Sequence, residues 1–111
     1  MKYPKNSSEY TSLYRAIINK LIDDIIVEIP TDNQHQSALI ELRSAKQTLA
    51  YTAPEILNNS VLEVLTILRK RVPWNSEESK NPQWIKNIRM HWTITVKQID
   101  NGLEVGEANS P

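Results

Sequence analysis

The chain has 111 residues, of which 40% are hydrophobic and 23% charged, and its net charge is zero; these values are ordinary for one globular domain. It contains no cysteine, which excludes a disulfide framework and any cysteine-ligated metal site. No apolar run approaches the roughly 18 residues of a membrane span, and the first ten residues lack the apolar run of a signal peptide. We therefore expect a cytoplasmic protein with no membrane partner.

The zero net charge hides an uneven distribution along the chain. Residues 1–65 carry six basic and eight acidic groups, residues 66–98 carry seven basic and two acidic groups, and residues 99–111 carry three acidic groups only. All three tryptophans, Trp74, Trp84 and Trp92, fall in the basic segment. Charge that is separated along the chain can also be separated in space, so this segment is the best candidate for a binding surface.

The first predicted element is a helix that begins near Ser7 or Ser8 and ends before Pro30. A serine can accept a hydrogen bond from a free backbone N–H of the first turn, and the residue before a proline disfavours helical geometry. The apolar residues alternate spacings of three and one, which is typical of a buried helix face. They are Tyr10, Leu13, Tyr14, Ile17, Ile18, Leu21, Ile22, Ile25, Ile26 and Ile29.

A second helix is predicted to follow a capping box at Thr31 to Gln34 and to end near Tyr51. In such a box the threonine hydroxyl and the glutamine amide each meet a free backbone N–H. Small and branched apolar residues at helical spacing form its predicted core face; they are Ala38, Leu39, Leu42, Ala45 and Leu49.

The third predicted helix covers residues 54–71, and a break near Asn58 is an alternative because asparagine is a poor helix former. Its last turn contains Arg69, Lys70 and Arg71, and cations in the last turn interact favourably with the negative end of the helix dipole. Pro73 ends it. The residues expected to face inward are Leu57, Val61, Val64, Leu65 and Leu68.

The fourth predicted helix is capped by Asn81, with Pro82 in its first position. Its apolar stripe consists of Ile85, Ile88, Trp92, Val96 and Ile99. Residues 91–96 also alternate as in a strand, but one lone strand would have no pairing partner in this sequence, so the helix is favoured. From Asp100 onward the sequence is typical of a flexible tail.

Four amphipathic helices with short links predict an all-α fold, a four-helix bundle in antiparallel up-and-down order. We expect a single helical domain over residues 1–99 and a flexible acidic tail over residues 100–111. A homodimer that completes the core stays open as an alternative for so small a chain.

Residue patterns that carry catalysis are scarce. The chain has two histidines, His35 and His91, and its two glycines, Gly102 and Gly106, both lie in the predicted tail. This argues against nucleophilic triads, P-loops and dinucleotide fingerprints. Glu-x-x-His pairs, the usual metal ligands of helical bundles, are absent. We therefore expect a protein that is not an enzyme and that uses neither a cofactor nor a metal.

The predicted binding face combines cations with large aromatic side chains, the residue types enriched at interface hot spots. It consists of Arg69, Lys70, Arg71, Trp74, Trp84, Lys86 and Arg89. Trp92 is expected in the core, whereas Trp74 is expected either to cover the end of the bundle or to meet a partner.

The favoured function is binding of another protein, with an acidic surface as the natural match, without catalysis. Small immunity proteins, phage-borne inhibitors and antitoxin-like regulators are similar in size and predicted shape, although the chain shares no motif with them. We therefore expect an inhibitor, an immunity protein or a regulatory adaptor. The alternative is a nucleic-acid-binding regulator that uses the same basic face. A pI near 6.7 and a longest basic run of three residues make this alternative the weaker one.

Overall fold

A computed structural model describes Pro4 and residues 7–103. These residues form four α-helices: Ser8–Glu28 (α1), Gln36–Leu49 (α2), Leu57–Arg71 (α3) and Gln83–Asp100 (α4). Short 3-10 turns lie in the three connections, at Asn33–His35, Pro54–Ile56 and Glu78–Lys80. The described part of the chain contains no strand, so the all-α prediction is confirmed. Residues 91–96 are helical, which excludes the strand considered for them.

Polar contacts between the first two helices show that they are antiparallel. Arg15, near the start of α1, donates hydrogen bonds to the carbonyl oxygens of Leu49 and Thr52 at the end of α2, the latter at 3.0 Å. Farther along α1, Asp23 forms an ion pair of 2.6 Å with Lys46, which comes earlier in α2. Residue numbers therefore rise along one helix as they fall along the other.

The first and last helices are antiparallel as well. Glu28, the last residue of α1, accepts a hydrogen bond of 3.0 Å from Asn87 and lies 3.2 Å from Nε2 of His91, both in the first half of α4. At the opposite end, burial raises the pKa of Tyr14, and the nearby phenol of Tyr10 and carboxylate of Asp100 raise it further. The predicted up-and-down four-helix bundle is thereby confirmed.

The cap of α1 is as predicted. The Ser7 side chain accepts a hydrogen bond of 3.1 Å from the backbone N–H of Tyr10, and α1 ends two residues before Pro30. The stripe of apolar residues is buried mainly in the second half of α1 and just after it; its buried members are Ile18, Leu21, Ile22, Ile25 and Ile29.

The caps of two other helices differ from the prediction. Asp32 rather than Thr31 caps the turn before α2, because its carboxylate accepts a hydrogen bond of 3.0 Å from the N–H of His35. Asn81 does not cap α4, whose preceding residue is Pro82. The Asn81 side chain is instead buried in the α3–α4 loop, where it accepts from the N–H of Asn75 at 2.7 Å and donates to its carbonyl oxygen at 3.1 Å.

The core is best predicted where a helix has neighbours on both sides. All five predicted core residues of α2 are buried. In α3, Leu57, Val64 and Leu68 are buried as predicted, and Ile67 joins them. The helix begins at Leu57, after a separate turn, so it starts three residues later than predicted and has no break near Asn58.

The two helices at the open edge of the bundle are less completely buried. Within the described residues α3 packs mainly on α2 and α4 mainly on α1, while α3 and α4 hardly touch each other. Residues predicted to face the core therefore stay half-buried along this edge; they are Val61, Leu65, Trp92, Val96 and Ile99. The edge between α3 and α4 is consequently a partly apolar surface rather than a sealed interface.

Helical structure and its cap continue past residue 99, into the first residues of the segment predicted as a tail. Asp100 is the last residue of α4, and Gly102 follows it with a φ of 79°. The N–H groups of Gly102 and Leu103 return to the carbonyl oxygens of Ile99 and Gln98, at 3.0 and 3.1 Å, which is a Schellman cap. Leu103 is 0% exposed, so this side chain is packed, whereas Asp100 and Asn101 are exposed. Residues 104–111 of the predicted tail lie outside the described residues.

Leu103→Ala should lower the free energy of unfolding by about 2–5 kcal/mol, because a buried leucine loses its packing and leaves a cavity. The matched control is Leu62→Ala, which removes the same atoms from a side chain that is 56% exposed and should cost less than about 1 kcal/mol. Urea unfolding measures both. Equally small losses in the two variants would mean that Leu103 belongs to a flexible tail after all.

Candidate protein-binding face

Trp74 folds back over the end of α3. Its indole Nε1–H donates a hydrogen bond of 3.1 Å to the carbonyl oxygen of Leu68, and its half-buried ring packs against the core. The Leu68 carbonyl oxygen also accepts a hydrogen bond of 2.9 Å from the backbone N–H of Val72, so the indole is a second donor to this carbonyl near the end of the helix. Pro73 ends the helical path just before it. Trp74 therefore covers the end of the bundle, which is one of the two roles predicted for it.

The same indole supports a cation from α4. The guanidinium carbon of Arg89 lies 5.4 Å from the centre of the Trp74 ring, within the range of a cation–π contact. Nε of Arg89 also forms an ion pair of 3.1 Å with Glu78 in the short turn of the loop. The loop between α3 and α4 thus contributes two contacts to Arg89, one of which places its guanidinium group over the aromatic ring.

A groove of about 320 Å³ lies at the open edge between α3 and α4, and we call it the Trp–Arg groove. Its lining residues are Leu65, Leu68, Arg69, Trp74, Arg89 and Trp92. Leucine side chains and half-buried indoles form an apolar floor, while the two arginines are exposed. An apolar floor with a few charged groups is the usual composition of a recognition site.

The two arginines of the groove differ in their surroundings. Arg89 is paired with Glu78, whereas Arg69 makes no ion pair with any described residue. A guanidinium group stays protonated at all physiological pH values and offers only donors. The groove is therefore suited to holding an anionic group.

Lys70 and Arg71 turn away from the groove and bind α2. Arg71 donates two hydrogen bonds to the carboxylate of Glu41, at 2.9 and 3.2 Å, and Lys70 lies 3.3 Å from the same carboxylate. The Arg71 hydrogen bond and, to a lesser extent, Lys70 lower the pKa of Glu41 to about 2. Two of the three consecutive cations thus serve the contact between α2 and α3.

Trp84 and Lys86 do not line the groove either. Trp84 lies beside the start of α2, where its half-buried ring meets the ring of His35 edge-on at 5.2 Å. Nδ1 of His35 in turn lies 2.6 Å from Oδ1 of Asp32, and the hydrogen bond between these side chains lowers the pKa of the Asp32 carboxyl group. Lys86 is half-buried on α4. Of the seven residues predicted for the binding face, the structure gathers Arg69, Trp74 and Arg89.

The other residues that line the groove were predicted from the sequence to lie in the core. Trp92 was assigned to the apolar stripe of α4, although its position three residues after Arg89 puts both on one helix face. Leu65 was likewise predicted to be a core residue but is half-buried, whereas Leu68 is buried as predicted and also lines the groove. The carboxylates of Glu41 and Glu78, which neutralise much of the predicted cationic face, were not singled out at all. Their partners are distant in the sequence, so no local pattern pointed to them.

Two further properties of the described residues bear on ligand classes. No group of three or more histidine and acidic side chains is placed to hold a metal ion within them. None of the described helices combines the length and the apolar character needed to cross a membrane.

Comparisons with protein-family models, with characterised proteins and with solved structures find no match to this chain.

The ion pair of Glu41 predicts a specific dependence of stability on pH. Its pKa is about 2 in the folded state against 4.5 ordinarily, so the stabilisation is complete above about pH 4.5 and is lost as the pH falls toward about 2. The difference in urea midpoint between the wild type and Glu41→Gln should therefore be largest near neutral pH and shrink over that range. Arg71→Gln should reproduce this behaviour. A difference that stays constant down to about pH 2 would contradict the assigned pair.

Proposed function

We propose that this protein acts by binding another protein in the Trp–Arg groove, without catalysis. The observation that supports this most directly is the meeting of two indoles and two guanidinium groups at the open edge between α3 and α4. Tryptophan and arginine dominate binding energy at protein interfaces because they combine a large apolar area with hydrogen-bond donors. Occupation of a partner's surface, as by an inhibitor, an immunity protein or a regulatory adaptor, is the mechanism proposed.

The position of the groove favours a binding role over simple packing. In a closed bundle, the facing stripes of α3 and α4 would seal each other, whereas here Leu65 and Trp92 remain half-buried. Nearby, Leu62 is 56% exposed on α3. Apolar surface rimmed by charged groups is typical of interaction sites. A partner that covers this edge would complete the missing contact between the two helices.

Nucleic acid fits the groove less well than protein does. Phosphate binding draws on cations that are free to replace counterions, but four cations of the basic segment are already paired with carboxylates of this chain. They are Lys70 and Arg71 with Glu41, Lys80 with Glu77, and Arg89 with Glu78. The leucine floor of the groove also offers nothing to a phosphate backbone.

Charge reversal at the groove tests the proposal. Arg69→Glu should reduce the capture of partner proteins from a native lysate at least about tenfold, because it replaces a cation at the rim of the groove with a carboxylate that repels an acidic partner surface. The matched control is Arg43→Glu, the same substitution at an exposed arginine on the side of the bundle formed by α1 and α2. Quantitative mass spectrometry of the captured proteins, with and without nuclease, gives the readout.

The outcomes separate the two partner classes. Capture that resists nuclease and is lost only with Arg69→Glu supports a protein partner at the groove. Capture that disappears with nuclease and falls steeply with salt would replace the proposal with the nucleic-acid alternative. Equal capture by the wild type and both variants would remove the groove as the binding site.

A further inference from the structure

We infer that the segment held in the Trp–Arg groove is an acidic peptide with an apolar anchor, and that Glu78 occupies the place on Arg89 that a partner carboxylate takes. This inference rests on the function proposed above and gives its partner a chemical class. The apolar anchor would lie on the floor between Trp74 and Trp92, and the carboxylates of the peptide would reach Arg69 and Arg89.

Charge complementarity selects an acidic segment. Both charged residues that line the groove are arginines, and no carboxylate is among its lining residues. Arg69 has no ion-pair partner among the described residues, so a carboxylate placed beside it meets an uncompensated charge. A neutral or basic segment would bring the apolar anchor but would leave that guanidinium without a counter-ion. A peptide that carries acidic residues on both sides of its apolar anchor can pair with both Arg69 and Arg89.

Glu78, which is not a lining residue of the groove, shows how a carboxylate can pair with Arg89. Its Oε2 lies 3.1 Å from Nε of Arg89 while the guanidinium group rests on the Trp74 ring at 5.4 Å. Both side chains of the pair stay about half exposed, at 54% and 49%. Pairs so accessible to water are weakly held. A carboxylate from a partner can therefore replace Glu78 without a large loss.

The loop can release the Glu78 side chain without unfolding. Glu78 lies in the short turn Glu78–Lys80, and its Oε2 also accepts a hydrogen bond of 3.4 Å from Nδ2 of Asn81. Asn81 is buried and holds the backbone of Asn75 on both its N–H and its carbonyl oxygen. The backbone of the loop is thus fixed independently of the Arg89 pair. Glu78 acts as an internal competitor that a partner must displace.

The peptide class can be tested without knowing the natural partner. The wild-type protein is used to select binders from a phage-displayed library of random peptides about 12 residues long. The enriched peptides should contain more Asp and Glu than Lys and Arg, together with at least one large apolar residue. Fluorescence anisotropy of the labelled peptides should show that Arg69→Gln weakens binding at least about fivefold, because one of the two rim charges is lost. Arg43→Gln should leave it unchanged.

Glu78→Gln tests the competition directly. Removing the internal carboxylate should raise the affinity of the acidic peptides about two- to fivefold, the range expected for an exposed ion pair. Glu77→Gln is the control, because it removes the same charge from the preceding residue, whose carboxylate pairs with Lys80 at 3.4 Å and not with Arg89. A rise in the first variant that the second does not share supports competition at Arg89.

Each opposite result overturns a defined part of the inference. An equal rise in both glutamine variants would show an effect of net charge alone and remove the role of Glu78. Enriched peptides without an acidic excess, or no enrichment at all, would overturn the acidic class. If capture from lysate still depends on Arg69 in that case, the proposed protein-binding function stands and only its partner chemistry is wrong. If capture is independent of Arg69 as well, both fall.

Discussion

The packing of α4 on α1 rather than on α3 is the constraint from which the candidate site arises. Among the described residues α4 packs mainly on α1, α3 packs mainly on α2, and α1 and α2 pack on each other. The ring of helix contacts therefore stays open between α3 and α4. Some apolar residues that face this opening, such as Leu65 and Trp92, therefore stay half-buried. The loop that joins the two helices covers part of the opening with Trp74, and the remainder is the Trp–Arg groove.

Helical periodicity was sufficient to predict the fold and much of the core. In α2 it identified every buried residue, because neighbouring helices cover that face completely. In α4 it identified Ile85 and Ile88 as buried but could not tell that Trp92 is only half-covered. Periodicity reports which face of a helix is apolar, whereas the extent of burial depends on how closely a neighbour approaches. That distance is a tertiary property, and it distinguishes the groove from the core.

Charge in the candidate site was less predictable than burial, because ion pairs join residues that are far apart in the sequence. The three consecutive cations from Arg69 to Arg71 serve two different structural roles. Successive helical residues point in directions about 100° apart, so one cation faces the groove while the next two meet Glu41 on α2, 30 residues away from Arg71. A local excess of basic residues therefore overstates the positive charge that a surface presents.

Trp74 connects the stability of the bundle with the shape of the site. Its Nε1–H donates to the Leu68 carbonyl near the end of α3, its ring supports Arg89, and the side chain lines the groove. Because these contacts exist before any partner arrives, little side-chain entropy has to be lost on binding, which favours affinity. The same coupling means that a large substitution at Trp74 would disturb the helix end and the groove together. Loss of binding in such a variant would not separate the two roles, whereas the rim arginine Arg69, exposed and not part of the core, reports on recognition alone.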